Sequence, residues 1–224
     1  MQPEHAGHCM LPIDVTAVLA DITATLQVEQ VPALYQRMAI VPGYLAASWE
    51  RYQIVMRRGA LRQTDKEYIA LATVVAQGND YMIAWQRQRL QQLGVTEAEI
   101  VEALAVADFF EGFDAFAHAL HVDSDLRPRR LMAGDMSLVD QEHDVNVPYV
   151  TQSDHEVVKR VYQEIKARFG IPFIPNIFKA LGHFPEALEA KWKAYKAIML
   201  QGQLRHLTKE MLAIAVSAVN ACFY

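Results

Sequence analysis

Near the end of the sequence, Glu210 and Cys222 stand twelve positions apart on either side of an apolar run, Ala213 to Val219, that reads as a helix. A cysteine does chemistry as the thiolate, which forms when a helix N-terminus, a second thiol or a base lowers its pKa. Glu210 has Leu207 three residues before it, where a capping box needs Ser or Thr, so helix capping accounts less well for this carboxylate. A functional role for Glu210 therefore stands beside a purely structural one. Glu67, in contrast, follows Thr64 by three residues and reads as the second half of a capping box. Twelve residues of straight helix rise about 18 Å, so Glu210 cannot touch Cys222 directly. A break near Asn220, a chain of water or a contribution from another segment is required. Cys222 also suits the plainer part of a small buried filler.

The other reactive-looking residues carry less. Cys9 lies beside His5 and His8 in a tail and reads as incidental. His118 and His121 are three apart on a helix, with Asp123 and Asp125 just after, but no third fixed metal ligand follows from the pattern. No cofactor or metal is therefore expected. There is no phosphate-binding glycine loop and no Gly-x-Ser-x-Gly elbow.

Composition narrows the class. Of 224 residues, 52% are hydrophobic and 21% charged, which excludes disorder. No apolar run reaches the roughly 20 residues of a membrane span, and the N-terminus lacks the pattern of a secretory signal. With 21 Lys and Arg against 26 Asp and Glu, the net charge is −5. The short Arg127-Pro128-Arg129-Arg130 cluster does not make a basic face, so nucleic acid is not expected as a partner. Two cysteines fit a reducing, cytoplasmic setting. A small-molecule substrate is the expected partner.

The elements that must position these residues follow from self-similarity. Residues 32–81 match residues 175–224 without a gap at an offset of 143. Pro32, Pro42, Leu45, Trp49, Tyr52 and Lys66-Glu67 fall on Pro175, Pro185, Leu188, Trp192, Tyr195 and Lys209-Glu210. Apolar residues recur at helical spacing almost throughout, and no alternating strand pattern stands out. The expectation is an all-α fold of two pseudo-symmetric repeats, the second incomplete at its C-terminus. Its parts would be a tail over 1–13, a first repeat over 14–121, a linker over 122–153 and a second repeat over 154–224. Within them, Asp14 and the Ser153-Asp154 pair read as helix caps. Thr96 opens a capping box with Glu99 for a helix towards Ala107, and Phe109 to Leu120 reads as a further helix. The stretch Gln77-Gly78-Asn79-Asp80 is expected to break the chain between helices.

On Glu210, Asn220-Ala221-Cys222-Phe223-Tyr224 and the repeat, the chain resembles the carboxymuconolactone decarboxylase and AhpD-like alkylhydroperoxidase superfamily. The redox members carry Glu, eleven residues, Cys-x-x-Cys, three residues and His. The resemblance implies an AhpD-like helical fold and a thiol-dependent peroxidase acting through Cys222, with Glu210 in the proton relay. The partner Cys and the His would fall beyond residue 224. In the first repeat Glu67 keeps its place, but Asn79 and Met82 hold the cysteine positions and Gln86 the histidine position, which implies a scaffold. The decarboxylases of the same superfamily imply a non-redox alternative acting on a small organic acid or lactone. The chain is also similar to group I 2-haloacid dehalogenases in its two repeats and in Pro42-Gly43-Tyr44-Leu45 before Trp49. Those enzymes activate a water with an Asp, which the sequence alone does not place. A further alternative is a non-catalytic assembly module, because Leu212, Val216 and Val219 would lack an intrachain cover; a homo-oligomer is expected.

Overall fold

Asp14 opens the first helix as its spacing predicts: in the computed structural model its side chain accepts a hydrogen bond from the Ala17 amide at 3.0 Å. The structure describes residues 13–122, 125 and 147–222. Cys9, His5 and His8, Asp123, most of the linker and Tyr224 lie outside the described residues. Among the described residues there are ten α-helices and no strand, so the all-α expectation holds. The chain divides into two compact units, up to Gln63 and from Thr64.

The first unit contains α1 (Val15–Leu26), α2 (Ala33–Met38) and α3 (Pro42–Arg57). Pro42 sits at the first helical position, where a missing N–H costs nothing. α1 packs on α3. Between them the indole Nε1 of buried Trp49 donates to Asp21 Oδ2 at 2.7 Å, and Gln53 donates to the same oxygen at 2.8 Å. Trp49 also stacks on Tyr52, with ring centroids 5.0 Å apart.

The second unit is built from α4 (Gln63–Ala76), α5 (Asp80–Gln92), α6 (Glu97–Leu120), α7 (Glu156–Phe169), α8 (Asn176–Leu181), α9 (Pro185–Leu200) and α10 (His206–Val219). α6 packs against α5, α9 and α10. Its inner face buries Ile100, Ala103, Val106, Ala107, Phe109 and Ala117 at helical spacing. The Thr96–Glu99 capping box is formed in both directions. At the other end of α4, Gly78 takes a φ of 64°, and Asn79 caps α5 by accepting from the Met82 amide at 3.1 Å.

Some boundaries differ from expectation. The two helices expected to meet near Asp108 are one continuous helix of 24 residues, because nothing there breaks the hydrogen-bond ladder and Gly112 is tolerated inside it. α4 begins at Gln63, so Thr64 lies inside the helix, and Glu67 is buried to 1% exposure rather than lying on a surface first turn. The cap of α7 is His155; Ser153 instead accepts from the His155 amide at 3.1 Å.

The start of α10 has no side-chain cap of its own and is tied down by buried charge. Lys209, 1% exposed, places Nζ 2.5 Å from Glu102 Oε1 and donates to the carbonyls of Ile198 and Gln201. Glu102 also accepts from the amides of Gln203 and Leu204. Burial pushes the Glu102 carboxyl up, but Lys209 and these amides together outweigh it and hold the group below its ordinary range. Asp65, 1% exposed, accepts from Thr208 Oγ1 at 2.8 Å and pairs with Arg205 at 2.6 Å.

Helices α2, α3 and α4 begin and end 143 residues before α8, α9 and α10. The ends of α1 and α7 have the same spacing.

Candidate functional site

Where α6 and α10 pack, a cavity of about 580 Å³ opens between them and the ends of α7, α8 and α9. Its walls are aromatic: Phe110 and Phe113 from α6, Phe169 from α7, Phe178 from α8 and Tyr195 from α9. The polar groups in this wall are few: Asp114, Glu210, Ser217 and Cys222, besides the Tyr195 hydroxyl. An apolar enclosure with a small number of placed polar groups is the usual form of a small-molecule site.

At one end stands Asp114, 5% exposed. Ser217 Oγ donates to its Oδ1 and Asn220 Nδ2 to its Oδ2, each at 3.0 Å. Both donors belong to the last turn of α10 and its cap. α10 stops at Val219, Ala221 takes a left-handed φ of 51°, and the Cys222 amide donates back to the Ser217 carbonyl at 2.9 Å. This turn folds Cys222 over the end of the helix. The thiol, partly buried, therefore joins the cavity wall. The break near Asn220, one of the three routes that the spacing left open, is present.

The other end holds Glu210, in the second turn of α10. Its side chain is 44% exposed, with Oε1 3.3 Å from His206 Nε2. Beside it, burial pushes the Tyr195 hydroxyl above its ordinary pKa and the Glu210 carboxylate pushes it further, while a hydrogen bond with Arg168 pulls it back.

The two residues singled out from the sequence thus line one cavity. They do not meet, because the nine residues from Glu210 to Val219 rise about 13 Å along α10. The carboxylate at the Cys222 end is Asp114, which the sequence reading missed. Its signal was a lone Asp on the face of α6 that carries Phe110 four residues earlier and Ala117 three residues later, a core position in the helical pattern.

The positions that match this motif in residues 64–92 do other things. Asn79 caps α5 onto the Met82 amide, as above. Gln86 is 5% exposed, and its Oε1 has no hydrogen-bond partner among the described residues.

His118 lines a second, polar cleft of about 630 Å³ with Gln77, Glu111, Asp114 and Asn220. His121 is the left-handed cap of α6, and both oxygens of Asp125 accept from the Asn176 amide at 3.0 Å, which caps α8. Among the described residues no group of three or more His, Cys, Asp or Glu side chains is arranged to hold a metal ion. No helix among them is long and apolar enough to cross a membrane.

Residues 42–125 match the model of the carboxymuconolactone decarboxylase family. The chain is 25% identical over 206 residues to the (R)-2-haloacid dehalogenase of Pseudomonas putida, an alignment that covers 87% of this chain and 66% of that protein. It therefore spans just under two thirds of that relative's length. No solved structure matches the chain significantly.

Proposed function

We propose, with the match of residues 42–125 to the carboxymuconolactone decarboxylase family in its support, that the aromatic cavity is the active site for a small organic acid and that Asp114 is its general base. The observation that carries this reading is a nearly buried carboxylate in the wall of an apolar enclosure, oriented by Ser217 and Asn220. The similarity to an (R)-2-haloacid dehalogenase along 87% of the chain favours hydrolysis at a halogen-bearing carbon. Asp114 takes a proton from water, and the water oxygen attacks that carbon. The carbon–halogen bond breaks, halide leaves with the electron pair, and a 2-hydroxy acid forms. Aromatic walls hold the apolar body and keep other water out, which strengthens the field of the carboxylate. The Tyr195 hydroxyl with its Arg168 partner offers the substrate carboxylate a donor at the far end.

A second reading rests on Cys222 standing in the same wall. The Cys222 thiolate would attack an organic hydroperoxide, releasing the alcohol and leaving a sulfenic acid. Two equivalents of a thiol would then restore it, with loss of water and formation of a disulfide. Glu210 would serve the proton relay, as the superfamily resemblance implies.

The two readings separate in one set of assays on the whole chain: halide release from (R)-2-chloropropionate and consumption of cumene hydroperoxide with dithiothreitol. Halide release should fall on the order of a hundredfold or more in Asp114→Asn and stay unchanged in Cys222→Ser. Near-ultraviolet circular dichroism checks that each variant is folded. Halide release indifferent to Asp114→Asn sinks the first reading. Peroxide consumption that Cys222→Ser abolishes establishes the second.

A further inference from the structure

Asp114 belongs to two enclosures at once. It lines the aromatic cavity with Ser217 and Cys222, and it lines the polar cleft with Glu111, His118 and Asn220. Its hydrogen bonds divide in the same way: Oδ1 accepts from Ser217, a cavity residue, and Oδ2 from Asn220, a cleft residue. Glu111, Asp114 and His118 lie three and four residues apart on α6, so one face of that helix carries all of them along the cleft. The carboxylate is only 5% exposed, so a proton placed on it has no direct path to bulk water.

We infer that Asp114 is served from two sides: substrate reaches it through the aromatic cavity, and the proton leaves it through the polar cleft, with His118 acting through Asp114 as the relay. This rests on the reading of Asp114 as the base. The titratable groups of the cleft are Glu111, Asp114 and His118, all from α6. The end of α4 contributes Gln77 and the cap of α10 contributes Asn220, neither of which titrates, and Cys222 is the titratable group beside Asp114 on the cavity side. After water has given up its proton to Oδ2 or Oδ1, neutral His118 accepts it, directly or across cleft water, and passes it to solvent. The carboxylate is regenerated without opening the aromatic wall. A base with its own exit for protons can turn over repeatedly without passing its proton back through the substrate side.

The test has an arm that needs no turnover. With ¹³C-labelled aspartate, the Asp114 carboxyl resonance should show a second inflection at the His118 titration, and His118→Gln should erase it. The activity arm uses (R)-2-chloropropionate. His118→Gln should lower halide release on the order of tenfold in dilute buffer, remove the rise of rate with pH over the histidine range, and recover when imidazole is added. An Asp114 resonance blind to His118, or a variant whose pH profile and buffer dependence match the unsubstituted protein, overturns the relay. Loss of activity in Asp114→Asn alongside either result leaves the general base standing and removes only its exit, so the two failures are distinguishable.

Discussion

Residues 21–53 and 164–196 build one device twice, with different electrostatics. In the first unit, Asp21 accepts from Trp49 and from neutral Gln53. Exactly the same register 143 residues later has Glu164 accepting from Trp192 at 2.7 Å and from Lys196 at 2.5 Å. The indole stacks on a tyrosine three residues on in both, with centroids 5.0 Å apart at Trp49–Tyr52 and 5.1 Å at Trp192–Tyr195. The difference is in what surrounds the indole. Trp49 meets Tyr35 and Tyr52, whereas Trp192 backs onto Phe169, Phe178 and Tyr195, all in the wall of the aromatic cavity. Both indoles have aromatic neighbours, but those of Trp192, namely Phe169, Phe178 and Tyr195, also line the cavity beside α6 and α10.

The largest effect should come from breaking what has been made charged and buried near that site. Lys209→Met strips the partner from Glu102 and should cost about 3–5 kcal/mol, measured by urea denaturation. The matched residue Lys66 is only half-buried, so Lys66→Met should cost clearly less. Equal losses would mean that burial of the amine is not what makes the Lys209 contact matter.

A smaller contrast is expected at the indoles. Trp49→Phe and Trp192→Phe each remove a hydrogen bond to a carboxylate, of about 1.5–3 kcal/mol. Trp192→Phe should lose more, because its ring also packs against Phe169 and Phe178. It should also weaken binding of (R)-2-chloropropionate in the cavity, which Trp49→Phe should leave alone. A binding loss shared by both variants would break the contrast.

The smallest effect concerns pH. Lys196, then Trp192, hold the Glu164 carboxyl below its ordinary value of 4.5, against some desolvation. A carboxyl depressed in the folded state adds stability that is fully present above its unfolded pKa and is lost as pH falls through the folded one. The penalty of Glu164→Gln should therefore be visible at pH 7 and shrink below 4.5. The side chain is 37% exposed, so solvent screening keeps that penalty small. Thermal melts of Glu164→Gln and the unsubstituted protein at both pH values check this.

Much of the framework was legible because it is local. The Asp14 and Thr96 caps, Pro42 and Pro185 at the first turns and the break at Gly78 all follow from side chains within a few residues. Errors came where local cues competed. The helices read towards Ala107 and over Phe109 to Leu120 are one, because the backbone of α6 has no reason to break between them. Thr64 and Glu67 had capping spacing, yet tertiary burial of Asp65 and Glu67 took the first turn of α4 into the interior. Of the candidate site, Cys222 and Glu210 were singled out from type and spacing and both line the cavity, and a break near Asn220 was one of the routes that the spacing left open.

By itself the sequence determined the helical class, the 143-residue matching and the two side chains worth watching, because periodicity, capping and spacing are properties of neighbouring residues. Only the tertiary structure decided that Asp114 is the carboxylate at the thiol end. Its partners Ser217 and Asn220 are more than a hundred positions away in the chain and reach it only because α6 packs on α10. The same packing set Glu210 and Cys222 in one cavity wall and put Asp114 between that cavity and the polar cleft. Such a choice depends on which faces meet, and that is settled by the burial of the whole apolar surface rather than by any local run of residues.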